Sequence, residues 1–281
     1  MKLTKTKAEL RDMLKDIRRE GKSIGLVPTM GYLHEGHLSL IRKARQENDI
    51  VVVSIFVNPT QFGEGEDYGT YPRDLDRDTG RCREAGADIV FAPEAEEMYA
   101  KTNAAFVDMS RLTDRLCGAS RPGHFRGVMT VVAKLFNIVL PDRAYFGQKD
   151  AQQVLVVKRM VRDLDFDVHI VEAPIVRETD GLAMSSRNTY LSPAERRAAL
   201  VLSQSLFEAR QRIEGGERRA DVIRNGIAGQ ISSQPLARLD YAEVVDAETL
   251  EPLREIRGSV LIAVAARLGD TRLIDNIKLE V

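Results

Sequence analysis

The sequence predicts an α/β chain: a doubly wound parallel sheet followed by a smaller domain of different character. Three observations carry this. Short apolar, β-branched stretches such as "DIVVVSIFV" alternate with segments of helical period through the first two thirds. Those stretches are apolar on both faces, as strands covered by helices on either side must be. The last third abandons the alternation for two helices and then extended segments paired around an "LGD" turn.

Leu3, Leu10, Met13, Leu14 and Ile17 recur at helical spacing and predict a helix over 4–20, closed by Gly21. "SIGLVP" reads as a short buried strand. Leu38, Leu40, Ile41 and Ala44 make the apolar face of a second helix, from Gly36 to Asn48. Residues 49–57 form the next strand, "NPTQFGEGEDYGTYP" is turn chemistry, 73–86 is helical and "ADIVFAP" is another strand. An apolar helix over 127–141 stops at Pro141. A strand then leads into a loop ("RAYFGQKD"), a helix ("AQQVLVVKRMVRDL") and an extended stretch ("DVHIVEAPIVRE"). Ser192 caps and Pro193 opens a helix over 193–213, and a further helix covers 217–230. The change of character near 176–188 divides the chain into domains 1–180 and 181–281.

With 281 residues the chain makes one large or two modest domains. Its 43% apolar and 30% charged residues are those of a soluble globular protein. A net charge of −1 offers no long-range attraction for nucleic acid or anionic membrane. The longest apolar run is too short for a bilayer, and the charged N-terminal segment has no signal-peptide core. Cys82 and Cys117 form no CxxC pair. The expectation is a cytoplasmic, reduced protein without nucleic-acid or membrane partners.

Four stretches carry chemistry. "PTMGYLHEGHLSLIRKA" runs from a strand into a helix, where free backbone N–H groups and the positive end of the helix dipole suit a phosphate. His34 and His37, at i and i+3, can lie on one side of the first turn, and Gly31 and Gly36 permit close approach. Alone, this pattern also fits a capped helix with surface histidines. "FVNPTQF" lies beyond the carboxyl end of a buried strand, where open α/β sheets bind ligands; the amides of Asn58 and Gln61 suit a substrate with hydroxyl and carboxylate groups, while taken alone the stretch reads rather as a polar turn fixed by Asn-Pro. In "RPGHFRGVMT", Arg121, His124 and Arg126 make either an anion contact, an inter-subunit rim or a solvated basic loop. In "FGQKDAQQ", Lys149 can reach a phosphate as a mobile charge, with Gln153 one turn from Lys149 and Asp150, or the stretch is an exposed helix N-terminus with ordinary charges. In "GLAMSSRNTYLSP", Ser185, Ser186 and Arg187 can hold a polyphosphate or form an ordinary linker turn. No GxxxxGK[ST] or GxGxxG is present, so these loops would have to supply any phosphate chemistry.

"LHEGH" after "PTMG", with "MSSR" late in the chain, resembles the paired HIGH and KMSKS signatures of the nucleotidyltransferase superfamily. Taken in order, "PTMGYLHEGHLSLI", "FVNPTQF", "RPGHFRGV", "FGQKDAQQ" and "MSSRN" are similar to the pantothenate synthetase (pantoate–β-alanine ligase) family, over residues 20–200. The resemblance implies a Rossmann-like N-terminal domain, a smaller α+β C-terminal lid and a homodimer. It implies ATP as co-substrate: pantoate is adenylated with release of pyrophosphate, and β-alanine then displaces AMP to give pantothenate. It implies that His37 is catalytic, joined by His34 and Lys149. It places ATP on Met30, Gly31, Tyr32, Leu33, His34, Glu35, Gly36 and His37, on Gly147, Gln148, Lys149 and Asp150, on Val176, and on Met184, Ser185, Ser186 and Arg187. Pantoate falls to Gln61 and Gln153 with Asn58 beside them, and β-alanine to Gln61. Mg²⁺ is expected mainly on the ATP phosphates; Asp76 or Asp78 could offer it a carboxylate, without a match to a dedicated site. Two rivals remain at this point, a nucleotidyltransferase that keeps the nucleotide in its product and a nucleotide-binding regulatory module.

Overall fold

A computed structural model describes all 281 residues and divides the chain into two compact units. The first comprises Met1–Ser110, Arg121–Gln148 and Gln153–Pro174. The second comprises Arg111–Ser120, Lys149–Gln152 and Ile175–Val281. In chain order the elements are β1 (Lys2–Thr4), α1 (Lys7–Arg19), β2 (Ile24–Thr29), α2 (Glu35–Glu47), β3 (Ile50–Ile55), α3 (Leu75–Glu84), β4 (Ile89–Phe91), α4 (Ala95–Met98), α5 (Cys117–Ser120), α6 (His124–Val139), β5 (Arg143–Gly147), α7 (Ala151–Asp163) and β6 (His169–Ala173). There follow α8 (Pro193–Ala198), α9 (Leu200–Glu214), α10 (Ala220–Ser233), β7 (Ala237–Asp246), β8 (Ser259–Leu268) and β9 (Thr271–Glu280).

The first unit is built on one six-stranded sheet, parallel throughout, in the order β1-β4-β3-β2-β5-β6. The chain lays β3 and β4 to one side of β2 and then returns to place β5 and β6 on the other. The winding therefore reverses between β2 and β5, and the crevice at their carboxyl ends is where such sheets bind ligands. Val27, Ile41, Val51, Val53 and Val90 are wholly buried; burying each such side chain stabilises the fold by about 1.5–3 kcal/mol.

Two boundaries in this unit depart from expectation. The helix read over 4–20 begins only at Lys7, capped by Thr6, whose Oγ1 accepts from Glu9 N at 3.3 Å. Ahead of it Lys2–Thr4 is an edge strand, with Leu3 opposite Val90. Three residues are too few to show a period, so only the partner strand reveals it. Helix α6 begins at His124 rather than 127, after Gly123 in the left-handed region at φ 81°, so His124 belongs to the helix and not to the loop before it.

The second unit packs α9 and α10 on the antiparallel sheet β7-β8-β9. The predicted hairpin is present: Leu268 pairs with Thr271 across Gly269 and Asp270. Leu202, Leu206, Ile223, Ile227, Ile231, Val260, Ile262 and Val264 form its core. The single helix read over 193–213 is interrupted at Ala199, where the sequence holds no Gly or Pro to announce it. Gln152 ties the two inserted segments together: its Nε2 donates to the carbonyls of Leu112 (2.8 Å) and Arg115 (2.7 Å), and its Oε1 accepts from Cys117 N (2.9 Å). No helix of the chain is long and apolar enough to cross a membrane.

Candidate active site

Strand β2 ends at Thr29, whose hydroxyl donates to Ser54 O on β3 (2.7 Å) and accepts from Gly31 N (3.2 Å). Gly31 and Tyr32 then take successive left-handed conformations, φ 85° and 48°. A side chain at Gly31 would be strained by that angle, and its Cβ would come within 3.0 Å of both Asp78 Oδ2 and Ile55 Cγ2. The turn aims the next two N–H groups inward. Tyr32 N donates to Asp78 Oδ2 at 2.6 Å and Leu33 N to Asp78 Oδ1 at 2.8 Å. The sequence reading held the loop's backbone N–H groups ready for a phosphate; at Tyr32 and Leu33 they are committed to an internal carboxylate instead.

His34 is the N-cap of α2, and its ring lies 4.0 Å from that of His37, centroid to centroid. His34 N donates to His37 Nδ1 at 3.3 Å. A ring nitrogen that accepts carries no proton, so neutral His37 holds its proton on Nε2 and presents that edge as a donor. Both rings are half-buried. The spacing i, i+3 places both rings at the first turn, and the local backbone assigns the tautomer.

Asp78 is buried in α3, and Asp76 is exposed on the same helix. Burial pushes the Asp78 carboxyl above its ordinary range, while the N–H groups of Leu33 and Tyr32 pull it back. With each oxygen accepting a backbone N–H, Asp78 anchors the histidine loop from within, a role the suggestion drawn from "YPRDLDRD" did not include. No group of three or more His, Cys, Asp and Glu side chains is arranged to hold a metal ion.

The amide loop leaves the carboxyl end of β3 next door and closes as a 3₁₀ turn, Pro59–Gln61, capped by Asn58. Asn58 is 1% exposed and its amide is fully engaged. Its Nδ2 donates to Gln61 Oε1 (3.1 Å) and Gly127 O (3.1 Å); its Oδ1 accepts from Thr60 Oγ1 (3.0 Å) and Tyr99 Oη (2.9 Å). Asn58 thus braces Gln61. Gln61 Nε2 reaches Met30 Sδ at 3.0 Å, which joins the amide loop to the histidine loop within one unit. Helix α6 presses on this turn so closely that a Cβ at Gly127 would lie 2.3 Å from Thr60 O.

The "RPGHFR" residues divide. Arg121 forks onto Glu66 (Nε–Oε1 2.7 Å, Nη2–Oε2 2.6 Å) and meets His124 Nε2 through Nη1 at 3.0 Å. His124 Nδ1 donates to Gln61 O at 2.8 Å. Together they fasten the glycine-rich 62–72 loop to the amide turn. Burial opposes ionisation of Glu66, but the Arg121 guanidinium draws its carboxyl down to about 2. Arg126 stands apart, stacked over Phe106 at 3.9 Å.

Gly147 ends β5 and Gln148 opens the 3₁₀ turn after it, both in the first unit, and Gln153 lies on the first turn of α7. Lys149 and Asp150 belong to the second unit, in a 3₁₀ turn; Lys149 O accepts from Asn276 Nδ2 of β9 at 2.9 Å. Val176 and Met184–Arg187 are in that unit too. Met184 N donates to Val176 O (3.0 Å), Arg177 bridges Ala183, and Ser185 caps a third 3₁₀ turn, its Oγ accepting from Arg187 N (3.3 Å). Arg177 holds this segment to β9 through Asp275 (2.6 and 2.9 Å). Burial pushes the Asp275 carboxyl up against the pull of Arg177.

Sequence reasoning named Asp78 only as a possible metal carboxylate and missed its anchoring role, and it missed Gly127, Asp275 and Asn276 altogether. None stands in a motif of its own; each acts on a loop distant in sequence. A faint signal was available for Asp78 alone, in the acidic cluster of "RDLDRD".

These features define a class: a doubly wound α/β protein whose candidate ligand loops leave neighbouring strand ends beside a sheet switch point, one of them opening a helix with paired histidines. The chain belongs to the pantoate–β-alanine ligase family, whose model matches residues 2–278. It is 59% identical to pantothenate synthetase of Moorella thermoacetica over 281 residues, 100% of this chain and 99% of that protein. Its fold matches the crystal structure of pantothenate synthetase from Thermus thermophilus with a TM-score of 0.95 at 49% identity, each chain fully covered. It also matches pantoate–β-alanine ligase from Francisella tularensis, solved in complex with β-γ ATP and β-alanine, with a TM-score of 0.81 at 33% identity over 99% of this chain and 97% of that one. The activity that goes with the family is the ATP-dependent condensation of pantoate with β-alanine.

Proposed function

We propose that this chain makes pantothenate in two steps at the loops described above, and that His37 is the group on which the first step most depends. The observation that carries the assignment is the His37 ring at the helix start, held by His34 N–H on Nδ1, which leaves the proton of a neutral ring on Nε2. In step one a pantoate carboxylate oxygen attacks the α-phosphorus of ATP, and the bond to pyrophosphate breaks. The nucleophile is already ionised, so the residues contribute position and charge neutralisation rather than a base. His37, with His34, donates to phosphate oxygens as their charge grows. Lys149, Ser185, Ser186 and Arg187 supply the remaining donors, and Met30–Gly36, Gly147, Gln148, Asp150, Val176 and Met184 line the nucleotide. In step two the β-alanine amine attacks the acyl carbon of pantoyl adenylate, and AMP leaves.

Gln61 and Gln153 orient pantoate, and Gln61 also borders β-alanine. Asn58 supports Gln61 from behind. The F. tularensis ligase carries β-γ ATP and β-alanine together, which supports nucleotide and amine sharing one site here. Magnesium would come with the nucleotide substrate and would supply charge neutralisation at its phosphates, beside the donors of His37, Lys149 and Arg187. The mixed anhydride must be kept from water, which favours a C-terminal domain that closes over it. The enzyme works as a cytoplasmic homodimer in this reading.

The test incubates the protein with ATP, Mg²⁺, pantoate and β-alanine, omitting each in turn. Pyrophosphate should form without β-alanine, and AMP turnover should require it. Nucleotide retained in a product, or pyrophosphate release independent of pantoate, would refute the reading.

A further inference from the structure

We propose that Asp78 is a positioning residue for adenylation: its buried carboxylate fills a nest made by the backbone of the histidine loop and so aims His37. The proposal rests on the reading of His37 as a donor to phosphate.

Successive backbone N–H groups in a turn can converge on one point, a concavity that attracts an anion. The turn at Gly31 and Tyr32, both at positive φ, does this for the N–H groups of Tyr32 and Leu33, and the anion they meet is the Asp78 side chain. Tyr32 is not glycine, so its φ of 48° costs energy and persists only if its surroundings over-determine it. They do so from several directions, all on α3. Arg77 Nη2 and Arg81 Nη1 donate to Leu33 O at 3.1 and 2.7 Å. The Arg77 guanidinium also stacks over the Tyr32 ring at 4.4 Å. Leu33 is thus gripped at both ends of its peptide, its N–H by Asp78 and its carbonyl by two arginines.

The residue after Leu33 is His34, whose N–H sets the His37 ring. From Asp78 to the imidazole the path is two hydrogen bonds and one residue of backbone, with no slack in between. If the nest loses its anion, Tyr32 loses its reason to stay left-handed, Leu33 turns, and the N–H that holds His37 Nδ1 moves with it. The chemistry needs His37 placed within a fraction of an ångström, since a misplacement of about 1 Å can cost roughly a hundredfold in rate. Asp78 touches no reacting atom in this account.

The experiment follows pyrophosphate release by the full-length enzyme with ATP, Mg²⁺ and pantoate, for wild type, Asp78→Asn, His37→Ala and the double variant. Asp78→Asn keeps the size of the side chain and one acceptor but removes the charge. It should lower kcat by about tenfold to a hundredfold. The KM for ATP should stay within about threefold, as for loss of an interaction made in the transition state. The Mg²⁺ dependence should be that of wild type. Because Asp78 acts through His37, the double variant should be no slower than His37→Ala alone. Arg81→Leu, which removes one grip on Leu33 O from a position outside the core, should show a smaller loss of the same kind, and Arg81→Lys should recover most of it. That pair carries the test should Asp78→Asn fold poorly.

A wild-type kcat in Asp78→Asn beside a crippled His37→Ala would overturn this proposal and leave the parent reading standing. So would losses that multiply in full in the double variant. A shifted Mg²⁺ requirement in Asp78→Asn would make the residue a metal ligand and likewise overturn it. Full adenylation by His37→Ala would remove the parent reading, and this proposal with it.

Discussion

The histidine loop and the 176–187 segment are built by opposite means. The first is shaped by backbone: two left-handed residues wrapped around a buried carboxylate that lies 46 residues away from Tyr32 in sequence. The second is shaped by side chains. A short bridge between Arg177 and Ala183 is pinned by an Arg177–Asp275 fork on one side and by Arg196 on Glu178 and Asp180 on the other. A loop specified by backbone tolerates almost no change of residue at its turning points. A loop specified by ion pairs depends instead on keeping opposite charges matched, and it fails through whichever partner is buried.

The sharpest way to break this comparison is at the buried partner. Arg177→Ala leaves Asp275, whose side chain is 1% exposed, without its counter-charge. Loss of about 3–5 kcal/mol of stability is expected, read as a lowered midpoint in urea. A change below about 1 kcal/mol, the range of exposed pairs, would show that the fork does not hold the segment. Next in size are the two donors proposed for the first step, which belong to different units. His37→Ala and Lys149→Ala should each slow pyrophosphate release by about a hundredfold or more, the scale of losing one transition-state donor, with little change in thermal stability. Release at the wild-type rate in either variant would contradict its role.

Gly31→Ala tests the backbone side of the comparison. The strained angle and the contacts at 3.0 Å from Cβ should cost about 1–2 kcal/mol in stability, together with a loss of adenylation. Equal tolerance of alanine at Gly31 and at an exposed glycine without a positive φ, such as Gly69, would mean the loop is not specified by its backbone. The smallest effect concerns the 62–72 loop. The Glu66 carboxyl is depressed from 4.5 to about 2. Its stabilising contribution is therefore complete above the unfolded value and lost as pH falls through the folded one. Limited proteolysis of this loop should be constant from pH 8 to about pH 5 in the wild type, since the carboxylate stays ionised throughout. Glu66→Gln should be cut faster across the same range; equal cutting would dismiss the Arg121 latch.

How much of this could be read from the chain differs by region. The buried strands were legible because both faces are apolar, and the β8–β9 hairpin because Gly269 and Asp270 mark its turn. The histidine pair was legible because i, i+3 spacing has one geometric meaning on a helix. Lys2–Thr4 was not, because an edge strand of three residues exists only by pairing with β4. Nor was the break at Ala199, which leaves no mark in composition. By sequence "RPGHFR" is one basic loop. The structure separates it into a clamp on the amide turn, from Arg121 and His124, and an arginine stacked on Phe106.

Local pattern alone determined the alternation of elements, the order of the ligand loops and the residue types available in each, because those depend on interactions within a few residues. Tertiary structure decided which N–H groups are committed and which side chains merely brace others. It turned Asp78 from a candidate ligand into a loop anchor, and placed Asn58 behind Gln61. The physical reason is that a buried hydrogen bond must be satisfied by whatever group the fold brings within about 3 Å, and sequence distance carries no information about which group that will be.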